Sequence, residues 1–86
     1  MADYSISFAK SARKELEGLE RAVVRRVFPK IESLASQPRP SGCRKLEGFK
    51  NLWRIRVGDY RVVYSVDDAK RIVDINAVRH RSKAYE

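Results

Sequence analysis

The chain opens on a two-residue alternation: Tyr4, Ile6 and Phe8 are separated by Ser5 and Ser7, the pattern of a strand with one buried face. From Ala9 the period lengthens. Ala12, Leu16 and Leu19 recur at helical spacing while Lys10, Arg13, Lys14 and Glu17 are left for solvent, and Gly18 weakens or ends this first helix. A second helix is expected from about Arg21 to Ala35, with Val23, Val27, Ile31 and Leu34 as its apolar stripe, so the two read as a helical hairpin. Pro29 lies within that stripe, removes a backbone donor and predicts a kink. The run Gln37-Pro38-Arg39-Pro40-Ser41-Gly42 cannot continue a helix and reads as a connecting loop.

The second half returns to strand patterning. Leu52 to Val57 and Tyr60 to Val66 are joined by Gly58-Asp59, a pair suited to a tight two-residue hairpin turn. Such a turn fixes register: Val57 faces Tyr60, Arg56 faces Arg61, Ile55 faces Val62, Arg54 faces Val63 and Trp53 faces Tyr64. One face of the hairpin is then apolar and the other cationic. After a turn at Asp67-Asp68-Ala69, Ile72 to Val78 is apolar at both parities, as expected of an interior strand, and a tail from Arg79 to Glu86 follows directly. The pattern is α+β: an N-terminal strand, a helical hairpin, then a three-stranded antiparallel meander completing one sheet. Residues 1–86 are too few for more than one domain.

Charge sharpens this picture. Nineteen Lys and Arg against eleven Asp and Glu give a formal charge of +8, which favours polyanionic partners. The single cysteine, Cys43, excludes an internal disulfide and a cysteine-based zinc site, and is assigned no role. With no signal-peptide pattern from Met1 to Phe8 and no apolar run of membrane-spanning length, a soluble cytoplasmic protein that does not engage a membrane is expected. No glycine-rich phosphate loop, metal-binding His pair or serine nucleophile motif is present, so neither a metal nor another cofactor is expected. Glu15, Glu17, Glu20, Asp59 and Asp67 are scattered over helix surfaces and turns, which argues against two-carboxylate or two-metal hydrolysis.

The candidate chemistry lies in the cations. Arg56 directly opposite Arg61 destabilises a strand pair unless an anion compensates, and a phosphate would do so; Arg54 lies two residues along the same face. Arg79, His80, Arg81, Lys83 and Tyr85 fall beyond the last strand, where side chains can be held toward a cleft. RNA cleavage without a metal needs a base for the ribose 2′-hydroxyl, a proton for the 5′-oxygen and stabilisation of charge on phosphorus. Arginines serve the last need. Histidine, with an unperturbed pKa of about 6.5, is the better proton carrier on paper, whereas tyrosine needs nearby cations to lower its value of about 10. The residues leave the choice between His80 and Tyr85 open.

Taken together, Lys45-Leu46-Glu47-Gly48, Trp53-Arg54-Ile55-Arg56-Val57, Gly58-Asp59-Tyr60-Arg61-Val62-Val63-Tyr64 and Arg79-His80-Arg81 followed by Tyr85 resemble the RelE/ParE toxin superfamily of bacterial toxin-antitoxin pairs. The middle blocks carry the superfamily likeness; the Arg-His-Arg and Tyr tail is similar to the RelE branch. That resemblance implies a ribosome-dependent endoribonuclease that cuts messenger RNA in the ribosomal A site. It implies phosphate and charge stabilisation by Arg54, Arg56, Arg61 and Arg79, activation of the 2′-hydroxyl by Tyr85, and secondary RNA contacts from Lys45, His80 and Arg81. An acidic antitoxin partner, forming a toxin-antitoxin hetero-oligomer, is implied as well. The sequence differs from the best-known RelE pattern by Arg in place of Lys at positions 54 and 56 and by His80. Two other readings fit the same fold: a ParE-like inhibitor of DNA gyrase without nuclease activity, and an RNA or ribosome binder without catalysis.

Overall fold

The structure is a computed structural model describing residues 3–83. Its elements are β1 (Ser5–Phe8), α1 (Lys10–Glu17), α2 (Arg21–Ser33), β2 (Arg44–Lys45), β3 (Trp53–Val57), β4 (Tyr60–Asp67), β5 (Ile72–His80) and a 3₁₀ turn over Arg81–Lys83. One five-stranded sheet has the order β1-β5-β4-β3-β2. β1 runs parallel to β5 and every other neighbouring pair is antiparallel. The α+β reading therefore holds, with β5 in the interior as its two-parity apolar pattern implied. β2 is an addition: a two-residue edge strand carries too little periodicity to stand out in a sequence.

Both helices cover one face of the sheet. Ala12 of α1 and Val27, Ile31 and the capping Leu34 of α2 are buried against Ile55, Val57, Val62, Tyr64, Val66, Val73, Ile75 and Val78. Each fully buried aliphatic side chain contributes about 1.5–3 kcal/mol relative to exposure. Phe8 and Phe28 stack with ring centroids 6.3 Å apart at the margin of this core. α2 runs unbroken through Pro29, which is exposed, so the carbonyl that loses its intrahelical donor can be hydrated.

The hairpin register is the one the turn dictates: Trp53↔Tyr64, Arg54↔Val63, Ile55↔Val62, Arg56↔Arg61 and Val57↔Tyr60. Gly58 has φ +60 while Asp59 keeps a negative φ, the combination of a II′ turn. A Cβ at Gly58 would also meet the guanidinium of Arg26 from α2, the far end of a flexible side chain that can move aside, so the turn needs glycine chiefly for conformation.

β5 carries an irregularity. Val63 pairs with Ala77 but the next residue, Tyr64, pairs with Ile75, so Asn76 is an extra residue in β5. This bulge explains the apolar pattern at both parities, since Val73 and Ile75 before it and Val78 after it all reach the helix-covered core. Arg79 and His80, expected in a tail, lie inside β5 because the bulge returns that strand to pairing with Arg61 and Tyr60 of β4.

Tyr64 is fully buried and its hydroxyl donates to the Pro38 carbonyl at 2.7 Å, tying β4 to the loop after α2. Burial, reinforced by Cys43, pushes its pKa well above the usual tyrosine value. A raised folded pKa contributes stability that is present below the unfolded value of about 10 and lost as pH rises beyond it. Urea unfolding of wild type should therefore lose stability from pH 9 to pH 11 more steeply than that of Tyr64→Phe, although the variant is weaker by about 1 kcal/mol at pH 7 through the lost hydrogen bond.

Candidate phosphate-binding site

The sheet face away from the helices is built by register. Directly opposed residues project to one side, so the pairings Arg56↔Arg61 and Arg61↔Arg79 run a row of three guanidinium side chains across β3, β4 and β5. A second row, offset by two residues along β3, joins Arg44, Arg54, Val63 and Ala77 across four strands. Arg44 thus belongs to the cationic face, although the sequence pattern did not single it out. The signal was available only through β2, whose pairing with β3 requires the fold.

Exposure grades the cations. Arg54 is buried at 4% exposure, Arg61 and Arg79 are half-buried, and Arg56 is exposed. Arg56, Gly58, Asp59, Arg61 and Arg81 line a cavity of about 110 Å³ at the hairpin turn. Its rim is held by the backbone, where the Arg81 N–H donates to the Asp59 carbonyl at 2.7 Å. An adjoining cavity of about 140 Å³ is lined by Arg61 and Arg79 together with Leu46, Phe49, Leu52, Val63 and Ala77. Arg61 is the wall common to both. The apolar side of the second cavity comes from the segment between β2 and β3, closed by the Leu46 N–H donating to the Leu52 carbonyl at 2.8 Å. Phe49, 57% exposed, stands beside the cations as a flat surface on which a base could stack.

Arg79 has an anchor. Beyond Phe8, β1 no longer covers the edge of β5, and α1 takes over: Glu15 accepts the Val78 N–H at 2.9 Å through one carboxylate oxygen and Arg79 Nε at 2.8 Å through the other. Glu15, read from the sequence as one of several scattered surface acids, is half-buried and bonded to the cationic site.

His80 and Lys45 are not brought to this face. His80 pairs with Tyr60, one residue out of phase with Arg79, and packs edge-on against the Tyr60 ring at 5.3 Å between centroids. Its Nδ1 lies 3.2 Å from the Ser82 backbone nitrogen, within reach of that N–H, and 2.9 Å from the Ser82 hydroxyl. Lys45 pairs with Trp53 and so falls on the opposite side from Arg44 and Arg54. Tyr85 lies outside the described residues. Among the described residues no three His, Cys, Asp or Glu side chains gather in a way that could hold a metal ion, and no helix is long and apolar enough to cross a membrane.

Comparison with known proteins adds a family to this geometry. Residues 6–85 match the ParE toxin family of type II toxin-antitoxin systems, parDE. The chain is similar to an Escherichia coli protein described as a RelE-like toxin, 33% identical over 87 residues that span 95% of this chain and 90% of that one. Its fold is similar to the archaeal RelE–RelB complex from Pyrococcus horikoshii, with a TM-score of 0.81, 33% identity and 95% and 99% of the two chains covered. The intact E. coli RelBE toxin-antitoxin complex also matches, with a TM-score of 0.80, 29% identity and coverage of 96% and 99%.

A bound dianion would add charge-assisted hydrogen bonds to this row of guanidinium groups. Sulfate at millimolar concentration should raise the Tm of wild type beyond the effect of chloride at equal ionic strength. In Arg56→Ala that sulfate-specific gain should fall by at least half, while stability at low salt changes by no more than about 0.5 kcal/mol because the side chain is exposed. Thermal unfolding by circular dichroism across the two salts checks both.

Proposed function

The chain belongs to the RelE/ParE superfamily of type II toxin-antitoxin toxins, and from that premise we propose that it is a ribosome-dependent, metal-independent endoribonuclease that cuts messenger RNA in the ribosomal A site. The observation that carries this reading is the row Arg56–Arg61–Arg79 across three adjacent strands on the open face of the sheet. Guanidinium groups held in register on one face are suited to a phosphate that gains negative charge during reaction.

In the proposed reaction the ribose 2′-oxygen loses its proton and attacks the adjacent phosphorus. A new O2′–P bond forms, the P–O5′ bond breaks and the departing 5′-oxygen takes up a proton. The products are a 2′,3′-cyclic phosphate and a 5′-hydroxyl. Arg56, Arg61 and Arg79 stabilise the extra charge on the phosphoryl oxygens, with the buried Arg54, two residues along β3 on the same face, adding a fixed positive charge. Arginine stays protonated at any relevant pH, so these side chains act by charge and hydrogen bonding. The base is assigned to Tyr85 as tyrosinate, a form that nearby cations would favour, because His80 faces the other side of the sheet. Arg81, beside Arg56 and Arg61 in the turn cavity, extends the cationic path for the RNA backbone, and Arg44 does so along the β2 edge.

We further assign the partner of the resting protein as an acidic antitoxin that covers this basic face, in line with the RelE–RelB complexes that share the fold. One observation favours a second reading. The matching family carries the ParE name, which keeps inhibition of DNA gyrase as the alternative, whereas the similar proteins and solved structures carry RelE names.

Toeprinting on mRNA-programmed ribosomes separates the readings. Wild type should cut within the A-site codon, Arg79→Ala and Tyr85→Phe should each slow cutting by about 10²–10³-fold, and the double variant should be inactive. Identical cleavage by wild type and the double variant, or none by either, overturns the proposal. Gyrase poisoning in a supercoiling assay would establish the second reading, and salt-dependent RNA binding with no product would leave a binder without catalysis.

A further inference from the structure

α1 contacts the backbone of β5 at the place where the strand bulges. Its residues Ser11 and Glu15 lie one helical turn apart and flank the fully buried Ala12. The Ser11 hydroxyl reaches the carbonyl of the bulged Asn76 at 3.4 Å, and Glu15 takes the Val78 N–H and Arg79 Nε on its two oxygens. One carboxylate thus fixes both the backbone that follows the bulge and the side chain that emerges there. The position is also costly for an acid, because Glu15 sits in the last turn of α1, where the helix dipole favours positive charge. A glutamate at that place has to be compensated by its partners.

We propose that Glu15 is a positioning residue for Arg79, holding the guanidinium in the row with Arg61 so that it meets the phosphate in a single orientation. This rests on the nuclease reading above. The contact is made at Nε, one of five N–H donors, and not at the terminal nitrogen pair that matches two phosphate oxygens in a bidentate fashion. Anchoring by Glu15 at Nε therefore restrains the plane of the guanidinium through a donor other than the terminal pair. The arm from Cα to Nε has four rotatable bonds, so a contact at its end restricts many orientations at once, and misplacement by about 1 Å can cost 10²-fold in rate. The carboxylate is needed as a double acceptor. An amide offers one acceptor oxygen, and a shorter aspartate cannot span both donors from the same helical position.

The test is a four-member cycle of wild type, Glu15→Gln, Arg79→Ala and the double variant, read as single-turnover cleavage of mRNA on programmed ribosomes at saturating and sub-saturating toxin. Thermal unfolding of each protein is measured alongside. Glu15→Gln is expected to lower the saturating rate constant roughly 10- to 100-fold while the toxin concentration for half-maximal rate changes less than about twofold. In the Arg79→Ala background the same substitution should lower the rate no further. An unchanged rate in Glu15→Gln, or an equal further loss in the Arg79→Ala background, overturns the positioning role. A loss of rate that vanishes when assays are run well below the lowered Tm shows a merely structural role and overturns it too. If wild type cuts nothing, the nuclease reading itself fails and removes this proposal with it; if wild type cuts and the cycle is additive, only the proposal for Glu15 fails.

Discussion

An extra residue in β5 decides what this sheet can do. With Asp67 opposite Ile72 and Tyr64 opposite Ile75, an unbroken ladder would continue to Val62 opposite Ala77, Arg61 opposite Val78 and Tyr60 opposite Arg79. Val78 would leave the core and Arg79 would point into the helix-covered face, because a one-residue slip exchanges the two sides of a strand. Asn76 absorbs the slip. Val78 stays in the core beside Val62, and Arg79 emerges beside Arg61 on the open face. Core packing and the cationic row are thus consequences of the same bulge, and the helix that stabilises the bulged strand through Ser11 and Glu15 also holds the arginine.

The two faces divide their duties accordingly. Helices α1 and α2 bury one side with aliphatic residues and Tyr64, giving the sheet the rigidity that holds the charged face in register. On the open side, the segment between β2 and β3 adds Leu46, Leu52 and Phe49 beside Arg61 and Arg79. Cations next to an aromatic and apolar wall form a surface suited to a nucleotide, with its charged backbone and flat base, more than to a simple anion. The hairpin turn closes the arrangement: Gly58 passes beneath Arg26 of α2 and sets the register that opposes Arg56 to Arg61.

At the far end of the sheet a separate polar cluster ties the chain's early and late parts together. Asp68 accepts from the Tyr4 hydroxyl at 2.6 Å and from both terminal nitrogens of Arg39, at 3.2 and 2.8 Å, and these partners, Arg39 foremost, hold its carboxyl below the usual carboxylate range. Arg39 also lies 5.1 Å from the centre of the Trp53 ring. The groups are exposed, so their effect is to fix the loop after α2 against the sheet more than to add much stability. That loop carries the Pro38 carbonyl on which the buried Tyr64 hydroxyl depends.

Local pattern was sufficient for both helices, for every strand except β2 and for the pairing of Arg56 with Arg61. A period of two or of 3.6 residues reports which side of a segment is buried, and Gly58-Asp59 reports a turn length, so the order of residues alone sets Arg56 opposite Arg61. The rest depended on residues far apart in sequence. Whether Arg79 or His80 joins the cationic face turns on a bulge that no local period reveals, and the structure puts Arg79 there and His80 against Tyr60. Arg44 joins the face, and Lys45 does not, through a two-residue strand that exists only when paired. Glu15 is 64 residues from Arg79 in the chain and looks like any solvated helix acid until the fold brings them to 2.8 Å. Sequence determined the faces; tertiary structure decided which charges share one, because strand register and edge contacts are properties of pairs of segments and not of either segment alone.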